Sequence, residues 1–600
     1  MKFISSLTLI AASVLVSCVP QAPQNIEKDA GAALNIVSTH SKSKGMVAAA
    51  NPYAVQAGLE VLRAGGSAVD AALAVQAVLG LVEPQSSGLG GGAFMLVYDP
   101  KKAEVWAYDG RETAPAAATA DLFIDPETGE PLRFFEGIAS GRSTGVPGAV
   151  VMLDMAHKDY GKRPWRENLN GAIELAEKGF TVSPRLSGII KRVGARLVLK
   201  RDDNARGYFF LEDGSELPVG SVRDNPEYAQ TLRAVADNPR AILEGPIAQA
   251  ILDAVRLEPL PGTMTLEDMA SYQPRKTRAL CSSYREHVVC GPQPPSSGGV
   301  AVQSILGMME NFDMSAIGPS ALGWHIFAEA SFLAYADRNK YVADPEFVKV
   351  ETGDMLDKDY LRARSKLINM DSAKGEYKAG NPSAFARGKD ATPESPGTSH
   401  FTIVDGEGLV VSMTTTVESI FGNQRMAAGF MLNNQLTDFS FKAVDGAGVP
   451  IANAPAGGKR PRSSMAPHIV FNPKGEFLFA TGSPGGSSII AYTAKTIIGM
   501  IDWGLTPQEA IELPNVIARR GTVKLETQGL EPELTDEPER MGPAARFGLP
   551  EATASALEAK GHKLRRSKGE ISGLHIIYRD KDGRLIGGAD PRREGVATGL

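Results

Sequence analysis

Two threonines, Thr398 and Thr416, are spaced so that chemistry could follow from their pairing. Phe401–Val404 and Leu409–Thr416 are apolar, β-branched runs separated by Asp405-Gly406-Glu407-Gly408, which predicts a β-hairpin. With Gly406–Gly408 as a three-residue loop, Val404 pairs with Val410 and Thr398 falls opposite Thr416. Directly opposed Cβ atoms lie roughly 4.5–5.5 Å apart, close enough for two hydroxyls to hydrogen-bond. A slip of one residue would send the second hydroxyl to the other face. A threonine hydroxyl is a poor nucleophile until a base takes its proton. At a freed N-terminus it carries its own base, an α-amino group of unperturbed pKa about 7.7–8.0. Cleavage between Gly397 and Thr398 would create that group, although spacing alone also fits a plain strand-start threonine. The segment just upstream, Tyr377–Gly397, is rich in Gly, Pro, Ser and charge and reads as a solvated loop built to be cut or to move.

Other chemistries are poorly supplied. The eight histidines are scattered, none lies in a nucleophile elbow, and no Ser-His-Asp trio stands out. No cluster of His, Cys and carboxylates has metal-ligand spacing, so no metal is expected. Gly88-x-Gly90-x-x-Ala93 formally matches a dinucleotide fingerprint. It follows a helical stretch and leads into a strand, the reverse of the required order, so no cofactor is expected either.

The elements that must position the threonines belong to a large folded body. The chain has 600 residues, 43% hydrophobic and 22% charged, which excludes wholesale disorder. With 63 basic against 69 acidic residues, a net charge of −6 and no long basic run, nucleic acid is a poor partner. Asn51–Val82 reads as helical and nearly all apolar, a buried helix against a sheet, with a strand at Ala93–Tyr98. Further helices are predicted at Ala172–Lys178, Asn225–Ala236, Gly323–Asn339 and Pro507–Leu513. Strands are predicted at His287–Cys290, Phe430–Leu432, His468–Phe471, Phe477–Ala480 and His575–Tyr578. Both types are mixed throughout without regular alternation, which favours stacked layers of helix and sheet.

Eight segments, in order, turn this pattern into a resemblance. Glu83-Pro84-Gln85-Ser86-Ser87-Gly88-Leu89-Gly90-Gly91-Gly92, Arg111-Glu112-Thr113-Ala114-Pro115, Pro295-Ser296-Ser297-Gly298-Gly299 and Ala334-Tyr335-Ala336-Asp337-Arg338 come first. Thr398-Ser399-His400-Phe401, Asn433-Asn434-Gln435-Leu436-Thr437-Asp438-Phe439, Lys459-Arg460-Pro461-Arg462-Ser463-Ser464-Met465 and Thr481-Gly482-Ser483-Pro484-Gly485-Gly486-Ser487 follow. The chain from about Gly45 to its C-terminus resembles the γ-glutamyltranspeptidases. The resemblance implies an α+β fold, the four-layered αββα sandwich of N-terminal-nucleophile hydrolases. It implies a precursor that cuts itself before Thr398 into a large chain, 45–397, and a small chain, 398–600, that stay together. Thr398 would attack the γ-carbonyl of glutathione or another γ-glutamyl compound, and water or an amino-acid or peptide acceptor would resolve the acyl-enzyme. Thr416 matches the second threonine that supports the nucleophile. Gly485 and Gly486 match the oxyanion hole, where the lack of a Cβ lets backbone N–H groups approach a reacting oxygen. Arg111, Ser463 and Ser464 match the clamp for the donor's α-carboxylate, and Gln435, Asp438 and Glu418 the seat of its ammonium.

Two departures stand out. Many relatives have Asn where this chain has Glu418, and the stretch between Phe439 and Lys459 is short and lacks their gating tyrosine, which implies a more open pocket. An acylase of the same fold acting on another amide, such as a cephalosporin acylase, is the nearest alternative; an exported, non-catalytic binding lipoprotein is the other. At the N-terminus, residues 1–18 read as an export signal too short to span a bilayer. Leu15-Val16-Ser17-Cys18 resembles a bacterial lipoprotein box, with lipid attached at Cys18; a plain secretory signal is the alternative. Residues 19–44 read as a tether, so the enzyme is expected on the periplasmic side of a bacterial membrane, held only by that lipid. A tight turn at Arg285-Glu286 would set Cys281 opposite Cys290, as a cross-strand disulfide or as two free buried thiols.

Overall fold

The computed structural model describes residues 36–37, 44–194, 198–382, 385–395, 397–527, 547–567 and 572–600. Cys18, the signal and most of the tether lie outside them. Two antiparallel sheets carry the fold. The first runs, by neighbour, Val596–Gly599, Met46–Ala49, Ser399–Val404, Val410–Thr416, Gly92–Asp99, Glu104–Asp109 and Arg275–Arg278. The second runs Leu585–Ala589, His575–Arg579, Phe477–Gly482, His468–Phe471, His287–Gly291 and Leu280–Tyr284.

The sheets stack face to face over Leu96, Tyr98, Val404 and Val410 from the first and Ile469, Phe471, Phe477 and Ile577 from the second. The Tyr98 ring meets Phe471 edge-on at 4.9 Å. The outer face of the first sheet is covered by helices Pro52–Arg63, Ala68–Val82 and Ala149–Tyr160. That of the second is covered by Gly298–Met309, Ala321–Tyr341 and Ile489–Ile501. Helix, sheet, sheet and helix make the four layers. Because both faces of each central strand are covered, Ser399–Val404 and Val410–Thr416 are buried at every residue, and β-branched side chains fill both sides.

The predicted strands are present, most with ends extended by a residue or two. The helical reading of Asn51–Val82 needs correction: it is two helices, Pro52–Arg63 and Ala68–Val82, broken at Gly65, where φ is +84°. Ser67 and Asp70 close a capping box on the second helix, with Asp70 Oδ2 accepting the Ser67 N–H at 2.8 Å. Burial opposes ionisation of Asp70, but hydrogen bonds from His157, Lys162 and Ser67 prevail and hold its pKa at about 2. Cys281 and Cys290 pair directly across their hairpin and are joined by a disulfide. No helix among the described residues is long and apolar enough to cross a membrane.

Candidate active site

The hairpin delivers the expected register. Val410 pairs with Val404 and Thr415 with Ser399, so Thr398, the residue before the strand, lies opposite Thr416. Thr398 Oγ1 donates to Thr416 Oγ1 at 3.3 Å. Thr416 Oγ1 passes its own proton to Gly397 O at 2.5 Å and accepts the Glu418 N–H at 2.8 Å. A hydroxyl has one proton to give, so the chain of donation runs from Thr398 through Thr416 to the carbonyl of the peptide bond that Thr398 itself belongs to. Gly397 is required by its surroundings: a Cβ there would meet Glu418 O at 2.3 Å.

Strand period places Thr398, His400, Thr402 and Val404 on the inter-sheet face, opposite Thr416, Thr414, Ser412 and Val410. That layer is apolar at the loop end of the hairpin and polar at the threonine end. There His400 Nδ1 meets Thr414 Oγ1 at 2.9 Å and Ser412 Oγ donates to Thr481 O at 3.1 Å.

The threonines open onto a pocket of about 260 Å³ of empty space. Its walls bring together Arg111, Thr398, Thr416, Glu418, Gln435, Asp438, Ser463, Ser464 and Gly486 from segments far apart in sequence. Buried Arg111 is oriented by the carbonyls of Pro461 (3.1 Å) and Arg462 (2.8 Å), and its Nη2 meets Asp438 Oδ2 at 2.5 Å. Gln435 Nε2 reaches the same Asp438 oxygen at 3.1 Å. Glu418 accepts from Ser419 Oγ at 2.5 Å and from Asn434 Nδ2. Burial raises the Glu418 pKa to about 8, the Asp438 charge adding to the shift. Burial also raises that of Asp438, against the pull of Arg111. Two buried carboxyls raised together form a site that a cation would relieve.

The Gamma-glutamyltranspeptidase sequence profile matches residues 54–600. The chain belongs to the γ-glutamyltranspeptidase family. It is 36% identical over 562 residues to the glutathione hydrolase proenzyme of Escherichia coli (strain K12), covering 92% of this chain and 90% of that one. It is 33% identical over 566 residues to the Acylase ACY 1 proenzyme of Pseudomonas sp. (strain V22), covering 93% and 94%. Among solved structures, cephalosporin acylase from Bacillus halodurans superposes with a TM-score of 0.78 at 26% identity over 96% of this chain and 99% of that one.

In this member of the γ-glutamyltranspeptidase family the glycine pair opens the helix Ile489–Ile501 through a short 3₁₀ turn, Gly486–Ser488. Gly485 has φ +134°, and a Cβ on it would meet Tyr492 Cε2 at 2.6 Å. Gly486 lines the pocket, and Gly485 precedes it in the chain without being one of the lining residues. The partial positive charge of a helix N-terminus suits an oxyanion. Cys281–Cys290 lies in the second sheet and is not part of the pocket wall.

Sequence reasoning missed four lining residues, Glu394, Ser395, Met465 and Ile489. The structure also corrects the Tyr377–Gly397 reading. The described residues of the segment form no helix or strand, as expected, but they are not simply solvated. Asp390 is buried, accepting from Arg462 at 2.8 Å and Asn453 at 3.0 Å, and Ser395 N donates to Glu418 at 3.2 Å. The short stretch after Phe439 packs on this segment, with Gly388 N donating to Pro450 O at 2.9 Å and Phe441 N to Thr392 Oγ1 at 3.1 Å. Arg338 and Arg462, which hold the segment from the other side, lay inside family-like motifs without an assigned role.

Proposed function

We propose that the chain is a γ-glutamyl hydrolase/transferase that matures by cutting itself between Gly397 and Thr398. The observation that carries this is the relay from Thr398 Oγ1 to Thr416 Oγ1 to Gly397 O at the mouth of the pocket. Thr398 Oγ attacks the Gly397 carbonyl carbon, and the hydrogen bond from Thr416 stabilises the developing oxyanion. The peptide C–N bond breaks as the hydroxyl proton passes to nitrogen, leaving an ester. Water hydrolyses the ester, freeing the Gly397 carboxylate and the Thr398 amine.

That amine is then the base for the second reaction. Thr398 Oγ attacks the donor's γ-carbonyl, the Gly485-Gly486 backbone receives the oxyanion, and the leaving amine departs with the proton. Water or an acceptor amine resolves the ester. Arg111, Ser463 and Ser464 would hold the donor's α-carboxylate, and Gln435, Asp438 and Glu418 its ammonium. Glutathione fits this donor class, and the E. coli relative is named for its hydrolysis.

Denaturing mass spectrometry with N-terminal sequencing tests the cut. A fragment beginning Thr-Ser-His-Phe-Thr is expected, and Thr398→Ala is expected to give one uncut chain with turnover at background. Turnover retained by that variant overturns the nucleophile. The acylase relatives supply a second reading, favoured by the fold match. The Arg111–Asp438 pair supports the amino-acid donor instead, and a glutaryl amide turned over faster than a γ-glutamyl amide would reverse the choice. Export by residues 1–18 and lipidation at Cys18 belong to the same proposal. The sequence before Cys18 supports them, and loss of detergent partitioning in Cys18→Ala tests the anchor.

A further inference from the structure

Where the chain crosses from the second sheet to the first, between Leu585–Ala589 and Val596–Gly599, it carries a cation to the nucleophile. Ala49 pairs with Val596 on one side and with Phe401 on the other, so those two strands run the same way. Arg593, three residues before Val596, therefore comes level with Thr398, three before Phe401. Arg593 Nη1 donates to Thr398 O at 2.7 Å. The side chain is 2% exposed and passes Gly573 so closely that a Cβ there would meet Arg593 Cδ at 2.7 Å. Glu83, 4.0 Å away, is already held by Arg185 at 2.6 Å and by Ser399 Oγ at 3.3 Å. Asp590 is held by Arg592 at 3.2 Å and by Ser572 Oγ at 2.6 Å. Arg185 and Arg593 share the one Glu83 carboxylate, which leaves positive charge against Thr398. Burial lowers the Arg593 pKa to about 9, Arg185 adding to the shift, so the group is a cation through the neutral range.

We propose that Arg593 is the positioning residue of the freed N-terminus: it holds the Thr398 carbonyl while Thr416 holds the hydroxyl, and its charge keeps the amine between them in the form that can take a proton. This rests on the reading of the Thr398 amine as the base. Once the Gly397–Thr398 bond is cut, the amine loses the peptide plane that fixed it. The hydroxyl and the carbonyl are then the two handles that decide where its lone pair points. Amine and carbonyl belong to one residue, so the guanidinium stands within roughly 6 Å of the amine. A like charge at that range disfavours the ammonium. The charges on the pocket side largely offset one another, Asp438 against Arg111 and Glu394 against Arg338, and Glu418 is neutral below about 8. The Arg593 charge therefore sets the sign of the shift.

The test reads kcat against pH at a saturating γ-glutamyl donor, which sets aside the effect of Glu418 on KM. In wild type the acid limb is expected about one pH unit below the 7.7–8.0 of an ordinary terminal amine. Arg593→Lys keeps the charge and is expected to keep the limb. Arg593→Met keeps bulk without charge and is expected to move the limb up by about one unit. Its deficit, roughly tenfold at pH about 6, then narrows as the pH approaches about 8.5. A second measurement needs no variant and holds even if Arg593→Met cuts itself slowly. The rate at which dilute acetic anhydride acetylates the Thr398 amine of mature wild type, followed across pH by the mass of the N-terminal peptide, gives the titration of that amine directly. A deficit in Arg593→Met that is equal at every pH, or a wild-type amine titrating at about 8 or above, overturns the proposal. Wild type that lacks the Thr398 N-terminus or γ-glutamyl turnover would overturn the functional reading instead, so the two failures are distinct.

Discussion

Glu418 holds a backbone conformation that its side chain does little to favour, with φ at +79°. That left-handed turn follows directly from the strand Val410–Thr416 and lets its N–H reach Thr416 Oγ1 while its carboxyl enters the pocket. Asn tolerates this region better than Glu, so the turn itself would favour Asn here and the carboxylate must be kept for what it does in the pocket. With a raised pKa of about 8, Glu418 is neutral below that pH and an anion above it. KM for a donor bearing an ammonium is therefore expected to fall as pH rises from about 7 to 9. Glu418→Gln should flatten that profile and raise KM about tenfold at the alkaline end, as measured by initial rates across pH. The linkage has a second sign. An unfolded glutamate ionises near 4.5, so between there and about 8 proton release favours unfolding, and Glu418→Gln should melt higher at pH 8. Thr398 and Thr416 were legible in the sequence because a hairpin register is arithmetic. Glu394 was not, because a carboxylate in a Pro- and Ser-rich stretch carries no periodic mark of burial.

Elements were legible where period and punctuation agreed. Asp405-Gly406-Glu407-Gly408 marks one turn, and Asp405 Oδ1 accepts from both Glu407 N at 2.8 Å and Leu409 N at 3.0 Å, which pins the register. The break between Pro52–Arg63 and Ala68–Val82 was also written in the chain, as Gly65-Gly66 followed by a Ser-x-x-Asp box, but unbroken apolar composition on both sides masked it. The approach to the hairpin depends on a glycine whose need is spatial. Gly397 passes under the turn at Glu418-Ser419, where a Cβ would also meet Ser419 O at 2.6 Å. Gly397→Ala is expected to displace the carbonyl from Thr416 and slow self-cleavage at least tenfold, on the scale of a lost oxyanion contact, followed by the appearance of the two chains on a denaturing gel. No pattern of residue types could reveal that demand, because it comes from a backbone segment beyond the next strand.

The molecule as a whole buries His400 and His575 between its sheets near the threonine end of the hairpin, and His468 on the face of the second sheet that is turned to the helix Gly298–Met309. Burial holds His468 and His575 at about 4 and His400 well below the ordinary value. Unfolded histidine takes a proton near 6.5, so stability is full above that pH and is lost as pH falls toward 4, by about 3 kcal/mol for each of the two. The histidine contribution to the melting temperature is expected to fall across that window and to be level above pH about 7, while Glu112 and Glu418, both raised to about 8 by burial, act with the opposite sign. From residue pattern alone the architecture was legible as stacked layers of helix and sheet, and the family resemblance supplied the four-layered sandwich; strand order was not legible, since it depends on pairings hundreds of residues apart. That order has a consequence for parentage. Met46–Ala49 lies between Ser399–Val404 on one side and Val596–Gly599 on the other. After a cut at Gly397 a strand of the large chain is woven between two strands of the small one. The halves cannot be shuffled among molecules without unravelling the sheet, so each small chain spends its life with the large chain it was born with, and mixed populations of variants stay true-bred.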